Sequence, residues 1–252
     1  MTFADQAFTI PVDHIHCRLA GSFHLSDPVE ALRKAGWDRF LARHPAAFDG
    51  QLLRMAAQRI EDNRLTITAQ STCFSAYVAT RHAGFAEEHP QAERADPLGL
   101  TVVLVTADQQ VIVTRRSLTA EQNPGALYLI GGYAEPAKGE EIDLFEEATR
   151  ELAEEVAVTD IARSSAFAIG FAYDPVYCHP ELFLMASSRS TAAEILDGAR
   201  HAPDRNEAAE LFASPLSDIL NNEDFMPGSA KTWSFLKAQA FLQQHFRARN
   251  AL

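Results

Sequence analysis

The sequence predicts an α/β domain preceded by an α+β extension, and three observations carry that reading. Residues 100–106 form a nearly unbroken apolar run, as expected of a strand buried on both faces. Residues 127–130, a second apolar run, deliver a glycine pair, a loop and then an amphipathic Glu-rich helix. Strand-like runs at 166–173 and 182–186 follow, with a further helix at about 230–246. Strands interleaved with helices in this order favour the α/β class. The 252 residues, 47% of them hydrophobic, suffice for one large domain or a domain with a substantial extension.

Residues 1–96 read as the extension and 97–252 as the main domain, because the charged stretch 86–97 ends in the breaker Asp96-Pro97. Residues 9–20 resemble a strand with His14 and His16 on one face. Without a third ligand nearby, that pair is read as structural rather than metal-binding. Asp27, Pro28 and Glu30 mark a helix start, with Leu32, Phe40 and Leu41 along it and a stop before Pro45. Residues 51–60 fit a helix or a strand equally. Alternation from Leu65 to Gln70 predicts a strand. No reaction motif stands in this third of the chain.

In the main domain the strand at 100–106 turns at 107–110 into a second strand, 111–115. Arg115 and Arg116 stand at its end, and because guanidinium suits phosphate both are candidate substrate-binding residues. After the third strand come Gly131 and Gly132, whose bare backbone allows close approach of a ligand. Asp143 and Glu146 form a capping-box pattern that starts a helix at Leu144. At about 100° per residue Phe145, Ala148, Leu152 and Val156 make one apolar stripe. Glu147, Glu151, Glu154 and Glu155 gather on another arc, where like charges at i, i+3 and i+4 repel. Such an arc is commonly a solvated face. Beside a glycine loop, hard oxygen ligands on a rigid face suit Mg²⁺ or Mn²⁺ held together with a phosphate.

Beyond the helix, Cys178-His179 is set aside as a nucleophile and base, since neighbours on an extended chain point to opposite faces. Glu181, expected at the mouth of a strand, is a candidate substrate-site residue as outer ligand or base. Glu207 and Glu210 lie in a short acidic segment, and residues 191–199 look helical. The formal net charge of −12 argues against a nucleic-acid or anionic-membrane surface. An anionic ligand must therefore be drawn in locally. Three scattered cysteines, no run of apolar residues long enough to span a membrane and no signal-peptide layout predict a cytoplasmic, soluble protein. The oligomeric state is not legible.

The stretch from Gly131 to Val158 resembles the Nudix box, G-x5-E-x7-R-E-U-x-E-E-x-G-U with U apolar. Arg150-Glu151-Leu152-Ala153-Glu154-Glu155 fits its second half without a gap. The first half departs. The box expects Glu at Ile142 and Gly at Pro136; Glu140 and Gly132 are the nearest substitutes, and Ala157 stands where the box has Gly. The resemblance implies a Nudix fold, a mixed sheet between helices, and metal-dependent cleavage of a diphosphate. It makes Glu151, Glu154 and Glu155 the metal ligands and Arg150 an orienting cation paired with Glu140, with Gly131 and Gly132 close to the diphosphate. Gly-Gly-Tyr-Ala-Glu-Pro followed by an extended loop is similar to the branch of UDP-glucose/UDP-galactose diphosphatases. Weaker similarities are residues 95–99, Arg115-Arg116-Ser117, Trp37 and Phe48-Asp49.

That branch implies a UDP-sugar split into UMP and a sugar 1-phosphate, with Mg²⁺ as cofactor and a small nucleotide as partner. The chemistry needs positioning, a cation and a base more than a covalent nucleophile. Glu155, Glu181 and Glu207 are all possible bases. Two alternatives stay open: a diphosphatase for ADP-ribose, coenzyme A or a dinucleotide, and a non-catalytic nucleotide-sugar sensor. An intact acidic helix favours the enzyme.

Overall fold

The computed structural model describes residues 5–222 and 224–250, so the outermost ends of the two expected domains lie outside the described residues. In chain order the strands are β1 (Gln6–Pro11), β2 (Ile15–Ser22), β3 (Gln51–Glu61), β4 (Arg64–Cys73), β5 (Gly99–Val105), β6 (Gln110–Arg116), β7 (Leu127–Tyr128), β8 (Ile130–Tyr133), β9 (Glu141–Ile142), β10 (Phe167–Asp174), β11 (His179–Ser187) and β12 (Ala208–Pro215). The helices are α1 (Asp27–Arg43), α2 (Phe74–Thr80), α3 (Phe85–Glu88), α4 (Leu144–Val156), α5 (Ala192–Gly198), α6 (Leu216–Asn221) and α7 (Trp233–Asn250).

β5 lies inside the larger sheet, ordered β1-β10-β11-β5-β6-β12, with β8 pairing β5 and β7 pairing β6. The β11–β5 pair is parallel and the remaining pairs are antiparallel, so the sheet is mixed. Alternate residues of β5 serve opposite layers. Leu100, Val102 and Leu104 pack with Phe145, Leu152 and Val156 of α4. Val103 and Val105 pack with Phe235, Phe241 and Leu242 of α7. A continuous apolar run is what a strand covered on both faces requires. The α/β class and the mixed sheet between helices are therefore present.

The smaller sheet, β3-β4-β2-β9, is built mainly from the first seventy-odd residues. The ambiguous stretch is a strand, β3, paired with β4 over its whole length. Strand pairings tie the expected extension to the residues of the expected main domain. β1 pairs with β10, and β9, from the loop before α4, pairs with β2. The single strand expected at 9–20 is two strands broken by a turn at Val12–His14, so His14 and His16 do not lie on one strand.

Two apolar faces differ from the sequence reading. In α1 the buried residues are Val29 and Phe40, whereas Leu32 is exposed. In α7 the sequence spells an apolar side of Trp233, Leu236, Ala240 and Phe241, whereas Leu236 is exposed and Phe235, Ala238, Phe241 and Leu242 are buried. The register of α7 follows from β10: a Cβ at Gly170 would lie 2.4 Å from the Phe241 ring, so only glycine admits that ring against the strand.

Candidate active site

α4 begins where the cap predicts. Asp143 Oδ1 accepts the backbone N–H groups of Phe145 (3.0 Å) and Glu146 (3.2 Å). Glu146 faces Arg163, which also pairs with Asp143. Phe145, Ala148, Leu152 and Val156 are buried, as is Leu144. Burying each of the larger ones contributes about 1.5–3 kcal/mol, which offsets the crowding of charge on the other arc. The helix ends at Ala157, held at φ 56° and ψ 27°. A left-handed turn, which favours glycine, is thus made here by Ala.

The glycine pair is not a loop. Gly131 and Gly132 belong to β8 and pair with Thr101 and Leu100 of β5. Each is glycine for a different reason. A Cβ on Gly131 would stand 2.0 Å from the Leu100 carbonyl oxygen, whereas one on Gly132 would stand 2.8–2.9 Å from the Glu151 carboxylate. The Gly131 N–H donates to Glu155 Oε1 at 3.0 Å. Backbone of β8 and carboxylates of α4 therefore share one surface.

Arg150 lies across the same face. Its guanidinium donates to Glu154 Oε2 (2.7 Å), Glu151 Oε1 (2.8 Å) and Glu147 Oε2 (3.2 Å). The expected partner Glu140 is elsewhere. It pairs with Arg18 of β2 at 2.8 Å, with both side chains largely exposed. The cause is β9: Cys17 pairs with Ile142, and Leu19 N–H donates to the Glu140 carbonyl at 2.6 Å, drawing this segment onto the smaller sheet. Glu147 takes the place expected of Glu140. Its Oε2 also accepts the Glu135 N–H (3.1 Å), joining the post-glycine loop to the helix. The signal for Glu147 was its i, i+3 spacing to Arg150.

A cleft of about 260 Å³ opens beside Gly131 and Gly132, with Arg116 and Glu207 on its rim and Glu181 in its floor. Arg116 lies over the Tyr128 ring at 4.9 Å and donates through Nε to the Gln122 carbonyl (3.0 Å). Arg115, its neighbour on β6, points away to Glu210 (3.1 Å) and the Gly125 carbonyl (3.2 Å). Alternation along a strand separates the two arginines. Glu181 is buried within β11 rather than at a strand mouth, and accepts from Thr101 Oγ1 and from Ser234 Oγ (2.7 Å). His179 Nε2 is 3.6 Å away.

One side of the cleft is aromatic and was not foreseen. Tyr133 donates to the Tyr77 hydroxyl at 3.0 Å, and Tyr77 donates to the Tyr177 carbonyl at 2.7 Å, beside His179 Nδ1 at 3.2 Å. Tyr77 and the cleft-lining Phe74 belong to α2, so the N-terminal third contributes to the wall. No local pattern in the sequence joins residues this far apart.

The carboxylates perturb one another. Burial above all, and then Glu154 and Glu207, push Glu151 up to about 7 against the opposing pull of Arg150. Burial raises Glu155 to about 8, aided by Glu151 and Glu207 and opposed by the Gly131 N–H and Arg116. Glu207 is raised by burial and by Asp204. Hard oxygen donors under mutual repulsion have the chemistry a divalent cation requires. Among the described residues, however, no three His, Cys, Asp or Glu side chains converge as a ready cage. Arg150 draws Glu151 and Glu154 to itself, so the donor set fits a cation once those side chains turn from the guanidinium.

Among solved structures, this chain is similar to a MutT protein from Methanosarcina mazei Go1 at 18% identity, covering 61% of this chain and 94% of that one with a TM-score of 0.42. It is also similar to a NUDIX hydrolase from Alicyclobacillus acidocaldarius (15% identity, 59% and 91% covered, TM-score 0.42). A third is an Ap4A hydrolase from C. elegans (14% identity, 62% and 99% covered, TM-score 0.39). No family model matches the chain, and no curated protein matches it. Likeness at this level leaves activity and substrate to this chain's own residues.

Proposed function

We propose that this chain is a metal-dependent diphosphatase of the Nudix type, acting on a nucleoside diphosphate-linked compound. The observation that carries this reading is the shared surface of α4 and β8. Glu151 and Glu155 lie against a glycine pair on which a Cβ would collide with Glu151 or with β5, and Arg150 ties Glu154 to Glu151. The preferred substrate is a UDP-sugar giving UMP and a sugar 1-phosphate. The Gly-Gly-Tyr-Ala-Glu-Pro segment and its extended loop support that choice by resemblance. Residues 97–252 carry the acidic helix and glycine strand, and the N-terminal extension completes the cleft through α2. No helix among the described residues is long and apolar enough to cross a membrane; a cytoplasmic place is part of this proposal.

Mg²⁺ or Mn²⁺ on Glu151, Glu154 and Glu155 would neutralise the charge that develops on phosphate oxygens and acidify a water. The protein's own groups do the rest. Gly131 and Gly132 present the main chain of β8 to the cleft, and the Gly131 N–H holds Glu155. Arg116, the arginine that faces the cleft, offers its guanidinium to phosphate. Arg150 gathers Glu147, Glu151 and Glu154 around one guanidinium and offsets their mutual repulsion. Of the candidate bases, Glu181 has both oxygens engaged by hydroxyl donors, which suits it to shaping the floor. Glu207 lies on the rim beside Arg116 and is better placed to take a proton from water.

A screen of nucleoside diphosphate derivatives with Mg²⁺, with products identified by mass, tests the reading. UMP and glucose 1-phosphate from UDP-glucose are expected, with the label from ¹⁸O-water in one product only. Cleavage of ADP-ribose or a coenzyme A while UDP-sugars survive removes the UDP-sugar part. Cleavage of none removes the whole reading.

A further inference from the structure

The connection between β6 and β7, residues 117–126, forms the outer wall of the cleft. Glu121 stands at its centre. With Gln122 and Asn123 it lines the inner chamber, and with Ser117 and Thr119 it lines a more open groove of about 440 Å³. Arg116 and Glu207 border both spaces, so this wall separates the two halves of a cleft that meets at the proposed phosphate site. Its own fixings are local: Ala120 N–H to Ser117 O (3.1 Å), Gly125 N–H to Arg116 O (3.2 Å) and Arg116 Nε to Gln122 O (3.0 Å).

Ser117 N–H donates to the Glu207 carbonyl at 2.8 Å where the wall begins, and two further contacts reach its middle from other elements. Asn123 N–H donates to the Tyr177 hydroxyl at 3.3 Å. Arg81, at the C-terminal end of α2, grips Glu121 with two hydrogen bonds, Nη1 to Oε2 at 3.0 Å and Nη2 to Oε1 at 2.5 Å. This is no loose surface pair, because the two side chains are only 15% and 28% exposed. The guanidinium also lies over the rings of Tyr77 (5.2 Å) and Phe40 (5.8 Å), which fix its plane. A planar fork held by aromatic rings restrains both the distance and the orientation of its carboxylate.

We propose that Arg81 and Glu121 are positioning residues for substrate binding. They form a latch through which the N-terminal extension holds the cleft wall and so sets Gln122 and Asn123 against the part of the substrate beyond the diphosphate. The substrate half of this proposal rests on the diphosphatase reading; the latch itself rests on the free protein alone. Removing either partner leaves the other charge partly buried and unpaired, and the wall then keeps its local bonds, the Ser117–Glu207 bond at its start and the contacts of Gln122 and Asn123 with the tyrosines, but loses the fork at its centre. The carboxylates of α4 are untouched, so binding changes more than the chemical step.

Hydrogen exchange and steady-state kinetics on the full chain test this with Glu121→Gln, Arg81→Met, Arg81→Lys and the Arg81→Met/Glu121→Gln double variant. Amides of 117–125 are expected to exchange about tenfold faster or more in each single variant, with β5 and α4 unchanged. The double variant should be no worse than either single one, and Arg81→Lys should be intermediate because it keeps charge without the fork. On a substrate the wild type cleaves, KM should rise about tenfold with kcat within about threefold. Wild-type exchange at 117–125 in Glu121→Gln, effects that add in the double variant, or a loss confined to kcat would each overturn the latch. Should Arg81→Met weaken the whole fold through lost stacking, Glu121→Gln decides, since it leaves Arg81 stacked. A wild type that cleaves no nucleoside diphosphate refutes the functional reading, and the exchange result still judges the latch.

Discussion

Arg150 neutralises part of a carboxylate group that its own helix assembles, and the consequence differs from residue to residue. Glu154 and Glu151 are drawn to the guanidinium, whereas Glu155 is turned to the Gly131 amide. Glu154→Gln and Glu155→Gln should each lower turnover at least about a hundredfold while the protein stays folded, because the amide keeps the shape and an acceptor oxygen for Arg150 or the Gly131 N–H and removes a charge that repels its neighbours. Near wild-type turnover in a folded double variant would remove the metal role. At the other end of α4, Ala157 adopts a left-handed conformation that costs a non-glycine residue about 1 kcal/mol. Ala157→Gly should raise the melting temperature by about 2–4 °C without changing activity, read by calorimetry. An unchanged or lower value would mean that the turn carries no strain.

The strand β8 and the helix α4 make the site as a pair, and the two glycines report on different halves of it. At Gly131 the added methyl meets backbone, the Leu100 carbonyl, which cannot yield without breaking the β5–β8 ladder. At Gly132 it meets the end of the Glu151 side chain, which can swing. Gly131→Ala should therefore destabilise the fold by about 2–4 kcal/mol in denaturant unfolding. Gly132→Ala should fold nearly as well as wild type yet lose activity. The reverse pattern would show that the glycines serve a ligand rather than these two contacts. Elements of this kind were legible in the sequence: the bounds of α4 follow from one cap and one apolar stripe, and β5 from one apolar run. The strand character of the glycine pair was not, because Gly-Gly has no side-chain alternation to read. Nor was the exposed side of α7, whose register depends on the absence of a side chain at Gly170.

Across the whole molecule, the site depends on connections between distant parts of the chain. The Arg18–Glu140 and Tyr133–Tyr77 contacts join residues 122 and 56 positions apart, and Tyr77 and His179 meet across 102. Local pattern cannot show such pairs, which is why Glu140 was expected at Arg150 and the tyrosine wall was not expected at all. A protein with net charge −12 also gathers Glu151, Glu155 and Glu207 in one partly buried place, and this has a global consequence. Glu151 and Glu155 have folded-state values of about 7 and 8, above the ordinary 4.5. Between the ordinary value and these, the folded state binds more protons than the unfolded one, so stability falls as pH rises through that window and levels off above it. Without divalent cations the melting temperature should therefore decline from about pH 5 to about pH 8.5, opposite to the trend of salt-bridged carboxylates. Added Mg²⁺ or Mn²⁺ prefers the ionised folded form and should shrink or reverse that decline, most strongly at the alkaline end. Glu151→Gln with Glu155→Gln should flatten the pH profile and abolish the cation effect together. Thermal melts at several pH values with and without Mg²⁺ read both at once, and a wild-type melting temperature that climbs with pH in the absence of cations would show that these carboxylates are not held at the values given.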